Sequence, residues 1–275
     1  MKTLIKTILI CCVLFVSLHA QDKVITMGYK SISKLPLIGA NENDEGLYKD
    51  LFSKAAKKIG YELKIIRYPK KRLHYALEQG LIDFYPGSSF SKKRAQYLYY
   101  LPNGLETKEV LVSLDTDVNY QSMDEVKGKL VVELGSSKIE WDELYPNISI
   151  VQLGKLSMHT ITNAIRFRRG DFYIADIEVV NYYKRIKKIK KYSDIGLKIH
   201  HNAINKNYIP MHLGFSRKSK LFKETTNEDF DENISTTIQN FPTVISKNSV
   251  AFKFYQALMQ IKKEGTTKEL YNLYF

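Results

Sequence analysis

Hydrophobic positions along the chain fall into two patterns: short β-rich runs, and longer stretches with apolar residues every three to four positions. Val24–Tyr29 (VITMGY) is the first β-rich run. After a loop-like segment at 30–45, Leu47, Leu51, Ala55 and Ile59 share one face of a helix that Gly60 stops. Tyr61–Arg67 reads as a strand, Lys70–Glu78 as a helix ended by Gly80, Ile82–Tyr85 as a short strand and Ser91–Gln96 as the start of another helix. Strands follow at Val110–Leu114 and Leu130–Leu134, the second running into Gly135-Ser136-Ser137 and a helix. Thr160–Arg168 is helical, Phe172–Ala175 is a buried strand and Ile177–Tyr183 is a helix. Pro210–Phe215 is a strand, and Val250–Glu264 is an amphipathic helix ended by Gly265. Strands alternating with helices predict an α/β fold with parallel sheets.

One apolar run fits neither pattern. Ile8 to Leu18 is almost wholly apolar, follows Lys2 and Lys6, and closes at Ala20. This is the layout of a secretory signal peptide, and the run is shorter than the roughly 20 residues needed to span a bilayer. The expected product is cleaved near Ala20 and resides in the periplasm. Cys11 and Cys12 are the only cysteines of the 275 residues and both lie in this segment, so the expected mature form has neither a disulfide framework nor a cysteine nucleophile.

Charge narrows the partners. The chain carries 42 Lys+Arg against 29 Asp+Glu, a net +13. Lys184–Lys191 (KRIKKIKK) is a basic run, in which the alternation with Ile186 and Ile189 suits a solvated helix face. Export argues against nucleic acid as a partner. His200-His201 lies on an expected strand, where neighbours point to opposite faces, and no metal-binding histidine pattern occurs, so neither a metal nor another cofactor is expected.

Three local groups carry candidate chemistry. Ser88-Ser89-Phe90-Ser91-Lys92-Lys93-Arg94 follows a strand; its hydroxyls and helix N-terminal amides suit an anion, and Arg94 suits a carboxylate. The alternative is Ser91 as a plain helix cap with Arg94 in solvent. Gly135-Ser136-Ser137 is a second strand-to-helix turn, either a polar contact for a ligand or an ordinary capped turn. Asp176 stands just past a buried strand, at the edge where open α/β sheets bind ligands, and reads either as an acceptor for an ammonium or as a helix N-cap.

These groups together resemble family 3 of the bacterial extracellular solute-binding proteins, the amino-acid-binding type. Gly46-Leu47-Tyr48-Lys49-Asp50-Leu51, Leu77-Glu78-Gln79-Gly80-Leu81-Ile82-Asp83, Ser91-Lys92-Lys93-Arg94, Val126-Lys127-Gly128-Lys129-Leu130 with Gly135-Ser136-Ser137, and Gly170-Asp171 through Asp176 match family blocks in order. Ile209–Ser219 is similar to the return crossing and Glu264-Gly265-Thr266 to the final turn. The resemblance covers most of residues 24–270. It implies a two-lobed type II periplasmic-binding-protein fold with a ligand cleft between the lobes. Lobe 1 would be 21–112 plus 210–275, and lobe 2 would be 113–209, after a signal at 1–20.

The resemblance further implies that Arg94, Ser89 and Ser137 hold a ligand carboxylate and that Asp176 holds its amine. Ser88, Ser136, Lys70 and Tyr29 are expected as further ligand contacts. The family often places aromatic side chains at the positions of Lys34 and Lys70, where nearby Tyr29 and Tyr68 are candidate substitutes, and the loop before Ser89 is one residue shorter than in many amino-acid binders. With Lys34, Lys70 and Arg72 near the cleft, an anionic or acidic ligand is expected. The implied function is a monomeric periplasmic receptor that delivers an amino acid or small carboxylate to membrane transporter subunits of the ABC type, without being an enzyme. The alternatives are a cyclic-acid dehydratase-like enzyme using Asp176 or Glu178 as acid or base, and a ligand-sensing subunit of a signalling partner.

Overall fold

The computed structural model describes residues 23–275 apart from 41 and 117, so the expected signal segment lies outside the described residues. In chain order the elements that matter here are β1 (Val24–Lys30), α1 (Leu47–Lys58), β2 (Glu62–Tyr68), α2 (Lys70–Glu78), β3 (Phe84–Tyr85), α3 (Lys92–Ala95) and β4 (Leu98–Thr107). They are followed by β5 (Glu109–Leu114), β6 (Gly128–Glu133), α4 (Trp141–Leu144), β7 (Ile148–Leu153), α5 (Met158–Arg166), β8 (Phe172–Asp176), α6 (Ile177–Ile186) and β9 (Leu197–His200). The chain closes with β10 (Ile209–Ser216), a small hairpin of β11 (Glu224–Thr226) and β12 (Thr243–Ile245), and the helices α7 (Val250–Lys263) and α8 (Thr266–Tyr274).

Two five-stranded sheets carry the architecture, in the orders β2-β1-β3-β10-β4 and β7-β6-β8-β5-β9. In each, three parallel strands are followed by an antiparallel one: β10 runs against β3 and β4, and β5 runs against β8 and β9. The sheets are therefore mixed rather than parallel. The reason is the crossing geometry. Lys108 joins β4 of one sheet to β5 of the other, and 201–208 return the chain from β9 to β10, so each sheet receives a strand entering from the opposite direction. The expected lobe limit at 112 falls inside β5, all of which pairs within the second sheet.

The first lobe is built round aromatic rings. Phe84 on β3 lies 5.1 Å from Phe52 on α1, 5.2 Å from Phe254 on α7 and 6.0 Å from Phe215 on β10, centroid to centroid. These fully buried side chains bring two helices onto one sheet face. The second lobe is aliphatic by comparison, with Leu111, Leu130, Val132 and Ile148 packed round Phe172. Asp83, in a block shared with the resembling family, works structurally. Its carboxylate accepts from the Thr26 amide and hydroxyl (both 2.7 Å) and from the Ser219 hydroxyl (2.5 Å), tying β1 and the segment after β10 to β3.

β4 has no clear strand pattern in the sequence, since Pro102, Asn103 and Gly104 interrupt it with residues that favour turns. The strand survives through a register shift opposite Pro210–His212 and through Asn103, fully buried, whose side chain donates to the Pro86 carbonyl (2.9 Å) and accepts from the Leu105 amide (3.0 Å). His200 is also structural: its ring lies 2.9 Å from the Ser113 hydroxyl and accepts from the Tyr120 amide at 3.2 Å. Among the described residues no helix is long and apolar enough to cross a membrane, and no cluster of His, Cys, Asp or Glu is placed to hold a metal ion.

Candidate functional site

The carboxyl ends of the parallel strands in both sheets converge on one cavity of about 320 Å³, within the range of small-molecule sites. Its first-lobe wall is made by the ends of β1 and β3 and the N-termini of α2 and α3. Its second-lobe wall is made by the ends of β6 and β8 and the start of β5.

Arg94, Ser89, Ser136, Ser137, Asp176 and Lys70 all line this cavity. Arg94 is only 7% exposed, and its Nη2 donates to the Gly135 carbonyl across the cleft at 2.6 Å. Ser91 does cap α3, its hydroxyl accepting from the Arg94 amide at 3.3 Å, and this cap aims Arg94 inward rather than into solvent. α3 has four residues, too short for a helix-terminal anion site, so the guanidinium is the cationic group that this segment presents to the cavity. Asp176 stands at the N-cap position of α6 but makes no side-chain cap bond. Its carboxylate instead pairs with the ammonium of Lys34 from the other lobe.

Tyr29, Ser88 and Arg72 lie outside the cavity, contrary to expectation. Tyr29 is fully buried in the first-lobe core, with the Arg67 guanidinium 5.0 Å over its ring. Adjacent strand residues face opposite ways, so it is Lys30 that reaches the cleft. Ser88 is buried, its amide donating to the His212 carbonyl at 2.7 Å, and Ser89 takes the cavity side. Arg72 is exposed and stacks on Tyr68 at 4.8 Å. The aromatic walls come from Tyr85, Tyr173, Tyr182 and Tyr183 instead. Burial pushes the Tyr85 hydroxyl up to about 12, which keeps it neutral and able to donate a hydrogen bond.

Glu178 also points elsewhere. It accepts from the Thr107 hydroxyl at 2.5 Å and from the Tyr271 hydroxyl at 3.5 Å, and it does not line the cavity. Successive residues at the start of α6 turn by about 100° each, which separates it from Asp176.

The main residues missed from the sequence are Lys30, Glu133, Glu109 and Lys138. Lys30 Nζ lies 3.2 Å from Glu133 Oε2 and 3.2 Å from the Leu156 carbonyl; Lys30 is 5% exposed and Glu133 is 7% exposed. Lys70 Nζ approaches the same Glu133 at 3.5 Å, and Lys138 reaches Glu109 at 2.8 Å. A signal existed: Lys30 and Glu133 are charged residues that close largely apolar runs, at the strand ends where such sheets bind ligands.

Electrostatics follow from this packing. Burial pulls the Lys70 ammonium down to about 7; Glu133 opposes this while Arg94, Lys30 and Lys34 add to it. Burial alone would raise the Asp176 carboxyl and lower the Lys34 ammonium. Their mutual attraction overrides it, holding Asp176 below and Lys34 well above their ordinary values.

Residues 32–275 match the model of the bacterial extracellular solute-binding proteins, family 3. The chain belongs to this family. Its fold is that of the type II periplasmic binding proteins, two-lobed and mixed α/β. An ancestral arginine-binding protein bound to arginine is 18% identical, with a TM-score of 0.65 over 92% of this chain and 98% of that one. The GluR0 ligand-binding core from Nostoc punctiforme in complex with L-glutamate is 18% identical, with a TM-score of 0.65 over 91% of this chain and 99% of that one. AncCDT-1, an ancestral amino-acid-binding protein and precursor of cyclohexadienyl dehydratase, is 16% identical, with a TM-score of 0.63 over 92% of this chain and 96% of that one. At these identities the likeness is one of fold. A search of curated protein sequences finds no match. Within the family 3 frame, the cavity described above occupies the cleft between the lobes.

Proposed function

We propose that this family 3 protein is a receptor that captures an amino acid or similar small carboxylate in its interlobe cleft. The observation that carries this reading is Arg94. It is a buried guanidinium on the cavity wall with no carboxylate in ion-pair range among the described residues, its cross-cleft partner being the neutral Gly135 carbonyl. A buried cation calls for an anion, and a guanidinium matches a carboxylate with two parallel bonds. Binding groups stand on both lobes, so a ligand held by both favours their approach. The two crossings, at Lys108 and 201–208, serve as the hinge between the lobes.

The receptor is exported to the periplasm by a signal cut near Ala20, acts as a monomer and passes its solute to membrane transporter subunits of the ABC type. It binds its ligand without converting it. Glu178 lies outside the cavity and Asp176 is held as a carboxylate by Lys34, so neither is set up as a proton donor to a ligand.

The test is ligand-induced stabilisation across a panel of amino acids and organic acids. A bound solute at a hundredfold excess over its dissociation constant raises stability by about 3 kcal/mol, and Arg94→Ala abolishes the shift. Mass spectrometry recovers the solute unchanged. Equal binding by Arg94→Ala would overturn the assignment of this cavity.

A further inference from the structure

We infer that the cleft selects small carboxylates that carry no α-ammonium, because Lys34 of the first lobe already occupies the carboxylate of Asp176 that would receive one. This rests on the receptor reading above and narrows its ligand class.

Lys34 is positioned by its own turn. Its amide donates to the Ile38 carbonyl at 2.9 Å, and its carbonyl accepts from the amides of Leu37 (2.9 Å) and Ile38 (3.0 Å). The side chain crosses the cleft to Asp176, which is 9% exposed and has no helix-capping duty to share. The ammonium is thus supplied by the protein itself, on a short tether. A tethered group competes at an effective concentration of about millimolar or more, which a free solute ammonium must exceed.

Displacing Lys34 creates a second difficulty. The other cavity carboxylates are engaged: Glu133 by Lys30 at 3.2 Å and Lys70 at 3.5 Å, and Glu109 by Lys138 at 2.8 Å. A released Lys34, whose side chain is 30% exposed, would have to turn out to solvent or stay beside Lys30, Lys70 and Arg94, where like charges repel. A carboxylate without an ammonium meets neither obstacle. It finds Arg94, with Lys70 beside it and only one distant carboxylate contact on that lysine, and leaves the Lys34–Asp176 pair in place.

Titration calorimetry with matched pairs, glutarate against L-glutamate and succinate against L-aspartate, tests this on the mature protein. The desamino member of at least one pair is expected to bind about tenfold tighter or more. Lys34→Met uncovers Asp176 and shifts the preference towards the amino acid by a similar factor. Asp176→Asn combined with Lys34→Met removes both charges, leaves no lone buried carboxylate, and cancels that shift; it also provides the readout if Lys34→Met alone melts early. An amino acid that binds wild type more tightly than its desamino partner, with Lys34→Met leaving the ratio unchanged, overturns the inference while the receptor reading stands. No binding by any member of the panel to a normally folded wild type overturns both.

Discussion

The two walls of the cleft carry opposite charges. The first lobe contributes Lys30, Lys34, Lys70 and Arg94, whereas the second contributes Glu109, Glu133 and Asp176, with Lys138 turned back onto Glu109 and the exposed Lys187 as its other cation. Across the gap the cations and carboxylates pair, Lys30 with Glu133 and Lys34 with Asp176. Neither wall is a binding site alone. The first lobe by itself is a crowded set of like charges, and the second presents carboxylates that its own residues satisfy only in part. Bringing the lobes together neutralises the second wall and leaves a surplus on the first, at Arg94, where an anion can bind. On the proposed reading, the charge that would attract a ligand and the charges that join the lobes are thus drawn from the same cluster but not from the same residues.

Glu133 is where breaking this complementarity has the largest effect. Glu133→Ala leaves Lys30, and to a lesser degree Lys70, buried without a carboxylate. Removing one member of such a pair costs about 3–5 kcal/mol, because the remaining charge stays desolvated. Calorimetry should show a melting temperature lower by on the order of 10 °C. Glu133→Gln, which retains an acceptor, should lose less. An unchanged melting temperature for Glu133→Ala would show that the lysines escape to water and that the walls are not joined there.

A smaller effect is expected at Gly135, whose backbone lies close against the opposite lobe. Its φ is +87°, and a Cβ there would lie 2.9 Å from the Lys71 backbone nitrogen in the opposite lobe. Alanine is strained in that conformation by about 1–2 kcal/mol, and the steric conflict adds to it only when the lobes meet. Gly135→Ala should therefore weaken ligand binding by about tenfold or more. Small-angle scattering with ligand should show a more extended molecule than wild type, and a normal ligand-bound radius would refute the contact.

The mildest perturbation is pH. Lys70 has a pKa of about 7 in the folded protein, below its ordinary value, and a bound anion favours its charged form. Carboxylate affinity should then be level below pH 7 and fall above it, by up to about tenfold per pH unit, with proton uptake on binding. Titrations in buffers of different ionisation enthalpy measure that uptake. Lys70→Arg, charged throughout, should flatten the profile. The same shift makes burial of Lys70 unfavourable to folding below pH 7, and that penalty fades as pH rises towards its ordinary ammonium value.

Much of the fold was legible because its signals are local. The apolar spacing of Leu47, Leu51 and Ala55 and the stop at Gly60 bracket α1 without reference to anything distant. β4 was not legible, since its Pro-Asn-Gly sequence is rescued by a buried side chain bonding to Pro86. In the site, Arg94 and Asp176 were legible as charged residues at strand or helix ends. Tyr29 and Lys30 show the limit: they are adjacent on β1, and only the face that packs against α1 decides which one meets the cleft.

By itself the sequence determined where many, though not all, of the strands and helices form, that two strand-to-helix turns carry hydroxyls, and that a basic side chain and a carboxylate stand at the ends of their elements. Those properties depend on residues a few positions apart, within the reach of a helical turn or a strand's alternation. Tertiary structure alone decided the pairing of charges. Lys34 and Asp176 are separated by 142 residues, and Lys30 and Glu133 by 103. Whether a buried charge is free for a ligand depends on what the opposite wall places within about 4 Å, and no local pattern carries that distance.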